Sequence, residues 1–281
     1  MGALIAILQN DPNLLACQVT RLRRQLVLAE GGEPLELCGW GYHRSGEVLV
    51  GRRPTGAPRP LELPDLVGPV SGEALVVRAQ SASGFPAKDE NTQPFRFRRW
   101  LFAHVGGVEA WPDVKPRLLS TLPDFLRRPV AGDTDSEHVF ALFLHYLRDA
   151  GALDDLDAPA ETVGRALART VRQVDAWSRE AGSQRPSDLA LAVTNGRMLA
   201  AVRRGRPMHY ALLEGIVPCP LHGIDASTRD SDPRLRPHRQ AKAVVLATVL
   251  AEPSGFLEVP EGAILTVDRS LRLHIAPMNS H

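Results

Sequence analysis

Runs of short apolar segments lie on both sides of two adjacent amphipathic helices, and this order constrains the 281-residue chain more than any other feature. Before the helices, strands are predicted over 3–8, 35–42, 47–51, 74–78 and 100–105. Asp135 or Ser136 then caps a helix through 148, with Val139, Leu142, Phe143, Tyr146 and Leu147 on one face. A second helix over 159–181 carries Val163, Leu167, Val171, Val174 and Trp177. After it the strand signals return over 189–194, 198–203, 208–213, 243–248, 263–267 and 271–275. Strands from the two chain halves need one another to bury both faces, so the pattern predicts two sheets with a helical layer in a single domain over 1–281.

Local punctuation fits this order. Asp11-Pro12 supplies an N-cap and a first-turn proline for a helix carrying Leu14, Leu15, Val19, Leu22 and Leu26, ended by Gly31-Gly32. Ser45-Gly46 and Asn195-Gly196 are hairpin signals, and Gly106-Gly107 is expected to break the strand before it. The stretch 218–240 holds four prolines and reads as a surface loop.

Thirty-three basic residues against 32 acidic ones leave a net charge of +1. No global field draws such a chain to nucleic acid or to an acidic membrane, and neither is expected as a partner. The apolar run over 3–9 is too short for a signal peptide, and no segment approaches the ~18 apolar residues of a membrane span, which predicts a cytoplasmic location. Cys17, Cys38 and Cys219 are odd in number and widely spaced, which argues against a disulfide framework or a zinc knuckle. His138 and His145 share a helix face without a third ligand, so no metal is expected. Cys17 reads as filler on the first helix and Cys219 as exposed in its loop. No cofactor signature is present.

Four segments in the middle of the chain carry a resemblance: Arg78; Asn91-Thr92-Gln93-Pro94-Phe95; Trp100-Leu101-Phe102-Ala103-His104-Val105-Gly106; and Gly132-Asp133-Thr134-Asp135-Ser136-Glu137. Together they resemble the small stand-alone branch of the class II glutamine amidotransferases. Gly39-Trp40-Gly41, Thr194-Asn195-Gly196-Arg197 and Val259-Pro260-Glu261-Gly262 are similar to the family's early, late and closing segments. The resemblance implies an α+β fold, the four-layer αββα sandwich of the N-terminal-nucleophile hydrolase type. It also implies a reaction in which an N-terminal cysteine, with its own amine as base, forms a thioester with glutamine and releases ammonia. An asparagine and a glycine N–H stabilise the oxyanion, while an arginine and an aspartate hold the amino acid's carboxylate and ammonium groups.

Carried over residue by residue, the resemblance implies that Arg78 binds the carboxylate, Asp135 the ammonium and Gly106 the oxyanion. Gly2 stands at the nucleophile position, Val105 at the oxyanion asparagine and Gln93 at the usual histidine. Glycine offers no nucleophile, and loss of one oxyanion donor alone costs about 10²–10³ in rate. The expectation is therefore a catalytically degenerate member that binds glutamine, glutamate or a protein partner. The alternatives are an active enzyme with a rearranged site, using Cys38 or the Gly2 amine, and a purely structural assembly subunit. Arg78 also reads as an ion-paired strand residue, Thr134-Asp135-Ser136-Glu137 as a helix-capping box, and His104 as a satisfied core histidine.

Overall fold

The structure, a computed structural model, describes residues 2–278 apart from 30–34, 36, 55–61, 69, 81–85 and 87. In chain order it builds β1 (Leu4–Gln9), α1 (Leu15–Arg21), β2 (Leu37–Arg44), β3 (Glu47–Pro54), α2 (Leu63–Val67), β4 (Ala74–Gln80), β5 (Phe95–Phe97) and β6 (Trp100–Gly107). Four helices follow: α3 (Trp111–Thr121), α4 (Asp124–Arg127), α5 (Asp135–Asp149) and α6 (Ala160–Glu180). The remainder is β7 (Asp188–Thr194), β8 (Leu199–Val202), β9 (His209–Glu214), α7 (Leu235–Gln240), β10 (Lys242–Ala247), β11 (Leu257–Glu258), β12 (Ala263–Val267) and β13 (Leu273–Pro277).

One sheet has the order β11-β9-β10-β1-β4-β2-β3 and the other β13-β12-β8-β7-β6-β5. β1 lies between β4 and β10, antiparallel to both, so a strand from the late part of the chain pairs with the first one. β6 likewise pairs with β7 across the helical insertion. Neither sheet can be completed from one chain half, the interdependence that the segment order predicts.

Strand alternation sorts the layers. Leu4, Ala6 and Leu8 of β1, with Leu101, Ala103 and Val105 of β6, fill the space between the sheets. Ile5 and Ile7 turn outward under α1 and α2. Trp100 and Phe102 turn the other way, against the buried faces of α3, α5 and α6, where Phe102 stacks on Phe140 with ring centroids 4.9 Å apart. The layers thus run helices, sheet, sheet, helices, with the thinner helical layer over the seven-stranded sheet.

Several boundaries move for physical reasons. α1 stops at Arg21, and Leu22 and Leu26 remain buried through turns instead of helix; the Gly31-Gly32 terminator lies outside the described residues. β6 does not break at Gly106, because Gly106 and Gly107 continue the ladder opposite Leu189 and Asp188. α3 starts at Trp111 and accommodates Pro116, and β5 is a three-residue edge strand; neither carried a periodic signal long enough to read. The segment 218–240 is more regular than a loop: it holds a 3-10 turn over Pro220–His222 and α7. The Ser45-Gly46 hairpin closes β2 onto β3 with φ values of 51° and 83°, the left-handed pair that a tight hairpin favours. Among the described residues no helix is long and apolar enough to cross a membrane.

Candidate functional site

Four elements bring the candidate residues together: β4 with Arg78, the end of β6 with His104 to Gly107, the N-terminus of α5 with Asp135, and the start of β7 at Asp188. Arg78 shares the strand face of Ala74 and Val76, so its side chain enters the space between the sheets. There Nε donates to the His104 carbonyl at 2.8 Å, and Nη1 donates to the carbonyls of Ala3, at 3.4 Å, and Ala79. Burial draws the guanidinium pKa down to about 9, with Cys38 pulling it back upward. Among the described residues no carboxylate pairs with Arg78, and backbone oxygens coordinate the cation where the sequence also allowed an ion-paired strand residue.

His104 is a buried, satisfied core histidine. Its Nε2–H donates to the Asp188 carbonyl at 3.0 Å, which leaves Nδ1 to accept from the Ser136 hydroxyl at 2.8 Å. Burial lowers its pKa; Asp135 acts against that shift and Arg78 adds to it. Its backbone N–H donates to Oε1 of Gln93 at 2.6 Å. Gln93 therefore braces β6 from the position where the resemblance sets a histidine.

The loop before α5 is tied down at several points. Thr134 Oγ1 caps the helix by accepting from the Glu137 N–H at 3.3 Å, and Glu137 in turn accepts from the N–H groups of Ala131 and Gly132. Asn91 Oδ1 accepts from the Asp133 N–H at 2.9 Å. The Asp135 carboxylate accepts from the N–H of Val108 at 2.8 Å and that of Ser136 at 2.7 Å. The cap is therefore Thr134, one position before the Asp135 or Ser136 expected; Glu137 reaches loop N–H groups of Ala131 and Gly132, and Asp135 clamps the turn leaving β6.

Gly106 has φ +133°, and a Cβ there would run into the Asp188 carbonyl oxygen, so the close β6–β7 approach demands glycine. Val105 points the opposite way from His104, into the apolar space between the sheets, and is 5% exposed. A Cβ built on Gly2 would fall on the carbonyl oxygen of Ala79. Cys38 is fully buried and faces the outer helical layer with Ile5 and Val77.

With Arg78, His104, Val105, Gly106 and Asp135 gathered at one end of the two sheets, the comparisons with known proteins decide the family. A family model described as glutamine amidotransferases class-II matches residues 38–266. The chain belongs to the class II glutamine amidotransferases. It is similar to the probable glutamine amidotransferase DUG3 of Saccharomyces cerevisiae, 32% identical over 122 residues. That match covers 41% of this chain and spans about a third, 34%, of the yeast protein.

The fold agrees with solved structures of class II proteins. A glutamine aminotransferase class-II domain protein from Silicibacter pomeroyi superposes with a TM-score of 0.60 at 19% identity, covering 98% of this chain and 99% of that one. A predicted glutamine amidotransferase from Pseudomonas aeruginosa gives 0.58 at 15% identity, covering 97% and 99%. The glutamine phosphoribosylpyrophosphate amidotransferase of B. subtilis gives 0.57 at 12%, covering 99% of this chain and 50% of that one. The αββα order expected from the resemblance is thus the observed fold.

Three features escaped the sequence. The roles of Asp188 and Gln93 depend on cross-strand register, which no local spacing encodes. Cys219 is 1% exposed instead of lying open in a loop, and it meets Cys17, His222 and His238. Cys219-x-x-His222 was the visible half of that cluster. His138 and His145 take other partners: His138 donates to the Thr134 carbonyl at 2.8 Å, while His145 lies 3.4 Å from Asp149.

Proposed function

We propose that this class II glutamine amidotransferase has lost glutamine hydrolysis and acts as a non-catalytic binding module. Arg78, Asp135 and Gly106 form its frame for an amino-acid-like ligand such as glutamine or glutamate. The observation that carries the reading is Gly2. The residue at the nucleophile position has no side chain, and the place a Cβ would take is filled by the Ala79 carbonyl. Val105 adds to it, because apolar bulk stands where an oxyanion would need a donor. Cys38 supplies no substitute on this reading, since its side chain faces the outer layer of the seven-stranded sheet.

A second reading, a purely structural assembly subunit, is favoured by one specific observation: Nε and Nη1 of Arg78 donate to the chain's own carbonyls. Two measurements separate the three readings. Incubation with glutamine and hydroxylamine yields γ-glutamyl hydroxamate only if an acyl-enzyme forms, and none is expected. Calorimetric titration with glutamine and glutamate is expected to show saturable heat. Hydroxamate formation would overturn the non-catalytic reading, and absence of heat with both ligands would leave the structural subunit.

A further inference from the structure

A second cluster of reactive side chains lies far from the glutamine-family residues in sequence, where α1 meets the segment 216–241. Cys17 Sγ and His222 Nδ1 are 3.3 Å apart, Cys219 Sγ and His222 Nδ1 3.5 Å, Cys17 Sγ and His238 Nε2 3.9 Å, and the two imidazole nitrogens 3.1 Å. All four ligating atoms fall within 4.8 Å of one another. Zinc bonds of about 2.3 Å to sulfur and about 2.0 Å to nitrogen place the corners of a tetrahedron about 3.6 Å apart for S···N and about 3.3 Å for N···N. The observed separations scatter around those edges.

Local structure builds the cluster from both sides. Cys219 and Ile224 exchange backbone hydrogen bonds of 2.8 and 3.0 Å around a tight turn, closed by Gly223 in the left-handed region. That turn sets Cys219 and His222 side by side. His238 stands on α7, where its Nδ1–H donates to the Arg234 carbonyl at 2.7 Å and leaves the Nε2 lone pair directed at the cluster. A backbone carbonyl behind the ring is the usual support of a metal-bound histidine. Arg234 also donates from Nη1 to the His222 carbonyl at 3.0 Å, and Cys17 closes the set from α1. Leu14, Ile216, Ile224 and Leu235 pack around it.

Hydrogen bonding among the four residues does not account for this geometry. His222 Nδ1 lies within 3.5 Å of three ligating atoms, and a single N–H cannot serve all three. A divalent cation at the centre serves every one of them. Two sulfurs and two imidazole nitrogens in tetrahedral array select zinc among common divalent metals, and four protein ligands leave no open position for a substrate or water.

We propose that Cys17, Cys219, His222 and His238 form a structural zinc site that staples the 216–241 segment to α1. On binding, the two thiols enter as thiolates and release two protons to solvent while both imidazoles bind neutral, so the zinc and its S₂N₂ shell together carry no net charge. The staple joins residues 205 and 221 positions apart in sequence, and so clasps the late part of the chain to the helix that follows β1.

The test uses the full chain without a histidine tag, exposed to zinc, desalted and analysed for metal by mass spectrometry. The site predicts one zinc per chain, with metal content lost in Cys219→Ser and His238→Asn and kept in the His145→Gln control. Cobalt in place of zinc is expected to give the visible spectrum of a tetrahedral thiolate site, weakened in Cys17→Ser. Should a variant fail to fold, the wild-type chain decides: a strong chelator is expected to lower its melting temperature, and added zinc to restore it. A wild-type chain that retains no zinc and melts identically with and without chelator would overturn the site, as would full zinc retention in Cys219→Ser.

Discussion

Arg78 Nε donates to the carbonyl oxygen of His104 at 2.8 Å, and this bond joins β4 of the seven-stranded sheet to β6 of the six-stranded one. A buried guanidinium held by backbone oxygens is costly to empty. Arg78→Met removes the donor to the His104 carbonyl, while the Ala3 carbonyl keeps the Ala79 N–H at 2.9 Å. Hydrogen bonds from charged groups contribute about 1.5–3 kcal/mol each, and a loss of that size or more is expected in urea unfolding. A variant as stable as the parent would remove Arg78 from its bridging role.

Gly106 is the second point where the candidate site and the fold coincide. Its φ of +133° and its contact with Asp188 leave no room for a methyl group. Gly106→Ala is expected to lose about 1–3 kcal/mol from backbone conformation alone, with the steric collision adding to it. Thermal unfolding measures the change, and an unshifted midpoint would contradict the tight β6–β7 approach.

His43 predicts a pH dependence. Its Nε2–H donates to the Arg99 carbonyl at 2.7 Å, and burial draws its pKa from 6.5 down to about 4 against the opposing effect of that bond. Between those values the unfolded chain takes up a proton that the folded chain refuses, so stability rises with pH through the window and falls on acidification. The full effect is on the order of 3 kcal/mol. His43→Gln should flatten the stability slope between pH 4 and 6.5; an unchanged slope would assign the acid sensitivity elsewhere.

At the α5 N-terminus, Thr134 and Asp135 separate by their partners. Thr134→Ala removes one cap bond and is expected to cost about 1 kcal/mol. Asp135→Ala removes the acceptor for both Val108 and Ser136, and on the binding-module reading it also abolishes calorimetric heat with glutamate. Asp135→Ala with undiminished binding would confine Asp135 to its clamp.

The layered fold was legible because its signals are local and repeated: alternating apolar strands on either side of α5 and α6, and capping residues just before α5, where the cap itself falls on Thr134 instead of Asp135 or Ser136. Arg78, Gly106 and Asp135 were legible only through spacing shared with a family. What the sequence hid was long-range register. Nothing near Gln93 announces that its side chain reaches the His104 N–H, and nothing near Cys17 announces His238, 221 residues away. The 218–240 segment read as loop because its regularity comes from a six-residue helix and a turn, each too short for periodicity to register.

Introducing the residues that the resemblance sets at positions 2 and 105 tests the proposed loss of activity from the other side. In Gly2→Cys/Val105→Asn, the new Cβ at position 2 collides with the Ala79 carbonyl, and an amide enters the apolar space between the sheets. The double variant is expected to be less stable and to hydrolyse no glutamine. Saturable turnover by it would show that only two side chains separate this chain from catalysis.

The most direct measurement follows ammonia released from amide-¹⁵N-labelled glutamine by the wild-type chain, against the same protein after heat inactivation. On the proposed reading, glycine at the nucleophile position and Val105 at the oxyanion-donor position predict identical traces at every glutamine concentration. Ammonia release that rises with native protein and saturates with glutamine would contradict the account.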